Sequence, residues 1–176
     1  MSVHWATVET RHGRFHVASR DGKVITIKLP GTQVTELWQT LARLAPGDEP
    51  VAATDGVLQD AAIQIQEYCD GLRHELTFPV QLNGTDFQKQ VWGAPMDVPY
   101  GETRSYADIA AAIGKPAAAR AVGGANRANH LPLIIPCHRV IAADGGLGGY
   151  MGQWGEGGGM ALKERFLAIE RGQLLA

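Results

Sequence analysis

The chain has 176 residues, 45% hydrophobic and 19% charged, enough for one ordinary domain or two small ones and too apolar for a disordered segment. Its formal charge of −2 excludes an indiscriminate polyanion binder, and no apolar run approaches the roughly 20 residues of a membrane span. The charge is unevenly placed: residues 100–139 carry five bases (Arg104, Lys115, Arg120, Arg127, Arg139) against two acids (Glu102, Asp108), so an anionic partner is expected there.

The first 83 residues read as an α/β domain built on a small antiparallel sheet. "WATVET" and "RFHVAS" predict two strands across a turn at His12–Gly13, and "KVITIKL" a third after Asp21–Gly22. "QVTELWQTLARL" places Val34, Leu37, Trp38, Leu41 and Leu44 on one helical face. Pro46, Gly47 and Pro50 break the chain. "VLQDAAIQIQEYCDGL" is a second amphipathic helix with Cys69 in its last turn, where no nearby histidine suggests chemistry. "ELTFPVQL" is a last extended piece, and Asn83–Gly84 marks the boundary.

Residues 84–176 read as mainly α. "TDFQKQVWGAPM" predicts a helix capped at Thr85 or Asp86 with Phe87, Val91 and Trp92 inward, and Gly93 and Pro95 are expected to shorten or kink it. In "PYGETRSYADIAAAIG" Ser105 caps a short helix that stops at Gly114, and Pro116 suits the first turn of the next. Helix, glycine turn, helix is the layout of a helix-turn-helix, although a generic helical pair would look much the same. The second helix is nearly all small residues, with Arg120 as its one long arm and Asn126 and Arg127 near its end. Such a slim helix fits a narrow groove better than sequence reading in the major groove.

"LPLIIPCHRVIAADGGLGGY" raises the question of chemistry. Cys137 is either a small core residue or a nucleophile at a pocket edge, made a thiolate with help from His138. Neighbours in an extended segment point opposite ways, so a bridging water is one route between them. A carboxylate that orients the histidine would come from Glu164 or Glu170 in "LKERFLAIERG". The two cysteines and six scattered histidines have no metal-ligand spacing, so a reduced, metal-free protein is expected. No secretory signal opens the chain, and a cytoplasmic location is expected.

"IIPCHRV" at 134–140, preceded by "ARAVGGANRAN" and "PYGETRSYADIA" and by "GTDFQKQVW" at 84–92, closely resembles the O6-alkylguanine-DNA alkyltransferase family. The match is dense from about 84 to 150, resumes in "ALKERFLAIE", and over residues 1–83 rests on element order. The resemblance implies single-use transfer of an alkyl group from O6-alkylguanine, and from O4-alkylthymine, onto Cys137. It further implies His138 as a base acting through water, Glu170 as its orienting carboxylate, Asn129 as a brace of the turn, and Tyr106 as donor to the leaving base. Arg120 would enter the base stack, with Ser105, Ala119, Asn126 and Arg127 also at the DNA. Tyr150, Met151, Gly152 and Val140 would line the substrate pocket. The implied partner is double-stranded DNA held through its minor groove with little sequence preference. No cofactor, metal or membrane is implied, and the free protein would be a monomer in a bacterial cytoplasm, associated with the nucleoid.

The chain departs from the family in the loop "MGQWGEGGGMALKE", which is longer than usual and puts Met151 where a small residue is common. That loop is either a lid affecting substrate range or a tolerated surface insertion. "TRHG" at 10–13 replaces a Ser-Pro-like turn, and the zinc ligands of some animal members have no counterpart. Three other readings stay open: a lesion sensor on the same scaffold, a helix-turn-helix regulator, and a thiol hydrolase that turns over repeatedly. A sensor would lack the acceptor thiol, yet Cys137 is present.

Overall fold

A computed structural model describes residues 2–54, 56–148 and 158–173. The chain packs as two compact units, one ending at Asn83 and the other beginning at Gly84.

In the first unit β1 (Ser2–Thr10), β2 (Gly13–Arg20) and β3 (Lys23–Lys28) form an antiparallel meander. Asp21 and Gly22 both have positive φ, the backbone of a tight hairpin turn whose twist suits the flanking strands. Helix α1 (Val34–Leu44) lays the predicted stripe on one sheet face: Leu37 and Leu41 are buried with Val3, Ala18 and Ile25, and Val34, Trp38 and Leu44 pack alongside. Trp5 and Trp38 meet edge to face with centroids 5.0 Å apart. Full burial of each such leucine contributes about 1.5–3 kcal/mol.

Strand alternation turns Ala6, Val8, Phe15 and Val17 to the other face, and these are buried too. Helix α2 (Val57–Cys69), which packs on β1, β2 and β3, supplies Leu58, Ala61, Ile65 and Tyr68. The expected break around Pro50 is instead a short strand, β4 (Glu49–Ala52), parallel to β1. The sheet is therefore mixed, in the order β3-β2-β1-β4, and not purely antiparallel. Proline is admissible there because β4 is an edge strand whose outer side needs no ladder donor. "ELTFPVQL" adds only a bridge between Val24 and Val80.

In the second unit α3 (Asp86–Met96) opens with a capping box: the Thr85 hydroxyl accepts from Gln88 N, and the Gln88 side chain accepts from Thr85 N. Such a cap is worth about 1 kcal/mol. The helix runs on through Gly93 and Pro95, so the expected early stop does not occur; Pro95 is buried one residue from the end. β5 (Arg104–Ser105) leads into α4 (Tyr106–Ala112), where Ser105 and Asp108 form a second capping box. After Gly114, with φ of +76°, the chain makes a further turn before α5 (Ala119–Arg127). Pro116 thus lies in that turn and not in the helix, which starts three residues later.

Val91, Val98, Ile109, Ala110, Val122, Ala125 and Val140 form the core that joins α3, α4 and α5. The Trp92 indole donates to Ala125 O at 2.8 Å, fixing α3 against α5. A 3-10 turn at Cys137–Arg139 precedes β6 (Val140–Ile141), which pairs in parallel with β5. Helix α6 (Gly158–Glu170) packs on that turn. No helix among the described residues is long and apolar enough to cross a membrane.

Candidate active site

Cys137 lies at the end of an apolar segment that is held in place by one amide. Asn129 Nδ2 donates to Ile135 O at 3.1 Å and to Cys137 Sγ at 3.2 Å, while Asn129 Oδ1 accepts from Leu131 N at 2.8 Å. Within this turn Leu133 is buried with φ of 75°, a conformation uncommon outside glycine, so the segment holds local strain next to the thiol. Burial pushes the Cys137 thiol up, and the Asn129 amide and the Lys163 ammonium oppose that shift without overcoming it.

The Cys137–His138 pair lies in a 3-10 turn and not in the extended segment expected from sequence. The His138 ring is fully buried, edge-on to Phe166 at 5.6 Å between centroids, and its Nε2 lies 2.5 Å from Glu170 Oε2. Glu170 takes three further donors: Arg139 Nε at 2.7 Å, Arg139 Nη2 at 3.2 Å and Gly101 N at 3.3 Å. Burial alone would raise the Glu170 carboxyl, but His138 and Arg139 outweigh it and hold it well below the usual carboxylate range. Burial lowers the proton affinity of His138, Glu170 works against that, and Arg139 and Lys163 add to the lowering. With Nε2 donating to a carboxylate, Nδ1 is the nitrogen left to accept a proton. The other sequence candidate, Glu164, is exposed.

Lys163 is the largest surprise. It is fully buried, donates from Nζ to Val140 O at 2.7 Å and to Leu147 O at 2.6 Å, and stands 5.9 Å from the Tyr106 ring centre. Burial brings its ammonium down to about 8. It ties β6 to Leu147 in the segment after it, and Gly148 lies against Tyr106: a Cβ on Gly148, whose φ is +69°, would lie 2.9 Å from the Tyr106 hydroxyl oxygen. Tyr106 is half-buried at the start of α4.

Arg120 and Arg127 are exposed on α5, and Gly124 shares their face at helical spacing, so two long cations flank a flat patch. Asn126 differs from expectation. It is 8% exposed with both amide atoms buried, so a DNA contact through that side chain would require it to leave the interior. It sits with Val122 and Ala125 on the inward face because its spacing from Val122 is one turn. Ala119 packs partly against the core, and the Ser105 oxygen already serves the α4 cap. The Val140 side chain belongs to the core, which leaves only its backbone for a substrate. Tyr150, Met151 and Gly152, with most of the long loop, lie outside the described residues.

Sequence reading missed the roles of Lys163, Arg139 and Gly101. The signal for Lys163 was present: with Phe166, Leu167 and Glu170 it falls on one helical stripe, so a lysine and a glutamate occupy core positions of an otherwise apolar face.

Residues 86–172 match the family model described as "6-O-methylguanine DNA methyltransferase, DNA binding domain". The inducible methylated-DNA–protein-cysteine methyltransferase of Bacillus subtilis is 36% identical over 170 residues, covering 97% of this chain and 91% of that protein. The protein of the same name from Mycobacterium leprae is 39% identical over 162 residues, covering 91% and 94%. Among solved structures, Mycobacterium tuberculosis OGT in complex with DNA superposes with a TM-score of 0.78 at 35% identity, covering 96% of this chain and 93% of that one. With identity at this level over nearly the whole length of both chains, the protein belongs to the O6-alkylguanine-DNA alkyltransferase (methylated-DNA–protein-cysteine methyltransferase) family.

Proposed function

We propose that this protein repairs DNA by moving the alkyl group of an O6-alkylguanine onto Cys137, once per molecule. The observation that carries the reading is the buried thiol of Cys137, hydrogen-bonded by Asn129 and followed at once by the His138–Glu170 pair. Neutral His138 takes the thiol proton, directly or through a water, and the sulfur attacks the alkyl carbon in line with the bond to O6. The C–S bond forms as the C–O6 bond breaks, and the electron pair stays on the guanine. Tyr106 donates a hydrogen bond to the departing base, and the proton held by His138 reaches the guanine through solvent, so the base leaves neutral and His138 returns to its neutral form. The thioether is stable, and among the described residues around Cys137 no group is suited to reverse it.

The target atom lies inside the duplex, so the base must be extruded at a cost of a few kcal/mol. The slim face of α5 lets backbone approach the minor groove, and Arg120 fills the space the base leaves. Arg127 adds charge to the backbone contact, and the neutral patch between the arginines explains low sequence preference. O4-alkylthymine presents the same alkyl–oxygen bond and is a second substrate. The working place is the cytoplasm, on nucleoid DNA.

The test is on the DNA side. Duplex containing O6-methylguanine is mixed with the protein at several molar ratios, and restored guanine is counted at the endpoint. One guanine restored per protein molecule is the expected result. Restoration continuing beyond equivalence points to a hydrolase, and tight binding with none restored points to a lesion sensor.

A further inference from the structure

Arg139 is buried beside the reacting pair, yet the chemistry above gives it no step. Its guanidinium makes three separate attachments: two nitrogens grip the Glu170 carboxylate, and Nη1 donates to Val98 O at 2.9 Å. Its other neighbour is the Tyr100 ring, 5.7 Å away. Glu170 therefore does not serve His138 alone. Its Oε1 is held by Arg139 and Gly101, and its Oε2 is shared between His138 and Arg139. Gly101, with φ of +86°, has a backbone that favours glycine, and a Cβ there would approach Glu170 O tightly, at 3.0 Å.

We propose that Arg139 is a positioning residue for alkyl transfer: by gripping Glu170 and sharing its charge, it fixes the carboxylate under His138 and keeps the His138 ring uncharged, ready to take the Cys137 proton. The inference rests on the alkyl-transfer reading. A carboxylate paired only with a histidine would favour the imidazolium, which cannot accept a proton. A permanently charged guanidinium on the same carboxylate opposes that outcome, and its planar fork sets the carboxylate's orientation in a way that a lysine cannot. The charged groups that act on His138 are Glu170 and Lys163 from α6 and Arg139 from its own turn, where Cys137 is its chain neighbour; Tyr100, from the segment after α3, faces Glu170 and Arg139. Lys163 also opposes the imidazolium, but its amine is committed to the carbonyls of Val140 and Leu147. Arg139 is the cation that reaches both the carboxylate and the adjoining backbone.

The test compares the full-length protein with R139Q and R139K, each checked for a folded state by heat unfolding. Two quantities are followed from pH 5 to 9: the rate of Cys137 methylation by an O6-methylguanine duplex, and the His138 ring nitrogens by NMR. In R139Q the acid limb of the rate profile and the His138 titration should both move up by about one pH unit. R139K keeps the charge and loses the fork, so its acid limb should stay in place while its plateau rate falls about tenfold. Should R139Q not fold, R139K alone decides, and a plateau equal to that of the parent overturns the proposal. A folded R139Q whose His138 titration matches the parent also overturns it. The NMR titration needs no transfer, so a parent protein whose Cys137 gains no methyl group at any pH refutes the alkyl-transfer reading separately.

Discussion

The unit that ends at Asn83 and the unit that begins at Gly84 each bury a cysteine, and the surroundings of the two differ. Cys69 closes α2; burial pushes its thiol up to about 11, a hydrogen bond with Thr10 and the charge of Arg11 only partly offset that, and Asp70 adds to the rise. Cys137 is equally buried, but an amide donor reaches its sulfur, a lysine lies near enough to favour its thiolate, and a histidine follows it in the chain. The same contrast extends to the charges. Among the described residues, the buried Arg139, Lys163 and Glu170 all belong to the second unit, whereas the buried polar residues of the first are His12, His16, Ser19, Thr26 and Thr40. Burying charge is costly unless every partner is present, so the first unit is a conventional core and the second holds a preorganised site.

The sharpest break in that comparison is a pair of substitutions. Cys137→Ala should abolish transfer while leaving affinity for a lesion-containing duplex within about threefold, because it removes the acceptor and little surface. Cys69→Ala should leave transfer at one per molecule and lower only stability, by about 1–2 kcal/mol for a small buried side chain. Transfer surviving in the Cys137 variant, or lost in a folded Cys69 variant, would reverse the assignment. Next in size is Arg120→Ala, which should slow reaction with duplex DNA about tenfold while sparing the free base O6-benzylguanine. Equal loss on both substrates would remove Arg120 from the extrusion step.

The pH dependence of stability is a smaller effect. Folding lowers the proton affinity of His138 below its ordinary 6.5, so on acidification the unfolded chain binds that proton first and stability falls from about pH 6.5. Glu170 is also depressed in the folded state, so its contribution is present above its ordinary 4.5 and is lost as pH falls below that. Unfolding temperature should therefore decline in two stages between pH 7 and pH 3, and a flat profile over that range contradicts the buried network. The smallest effect is a control in the first unit: Leu72 is 76% exposed, and Leu72→Ser should change stability by less than about 0.5 kcal/mol.

Periodicity carried much of the fold. The α1 stripe from Val34 to Leu44 and the three antiparallel strands were legible because their side-chain spacing matches the element period. Strand β4 was not, since Pro50 is a breaker in isolation and only its edge position makes it admissible. Likewise α3 continues through Gly93 and Pro95 because tertiary packing of Val91, Trp92 and Pro95 overrides local propensity. In the site, adjacency alone could not say which side of the turn His138 faces, nor that Arg139 and Gly101 converge on Glu170 from positions far apart in sequence. Asn126 was placed at the DNA together with the end of the slim helix, and its helical register with Val122 is the clue that turns it inward. Long-range charge pairing leaves little trace in a single sequence, whereas a lysine on an apolar helix stripe does.

The measurement that tests the central claim most directly is intact mass after incubation with excess O6-methylguanine duplex, followed by peptide mapping. The account predicts the gain of one methyl group, on the peptide that contains Cys137, with no further uptake at longer times. An unchanged mass, or a methyl group on the peptide that contains Cys69, contradicts it.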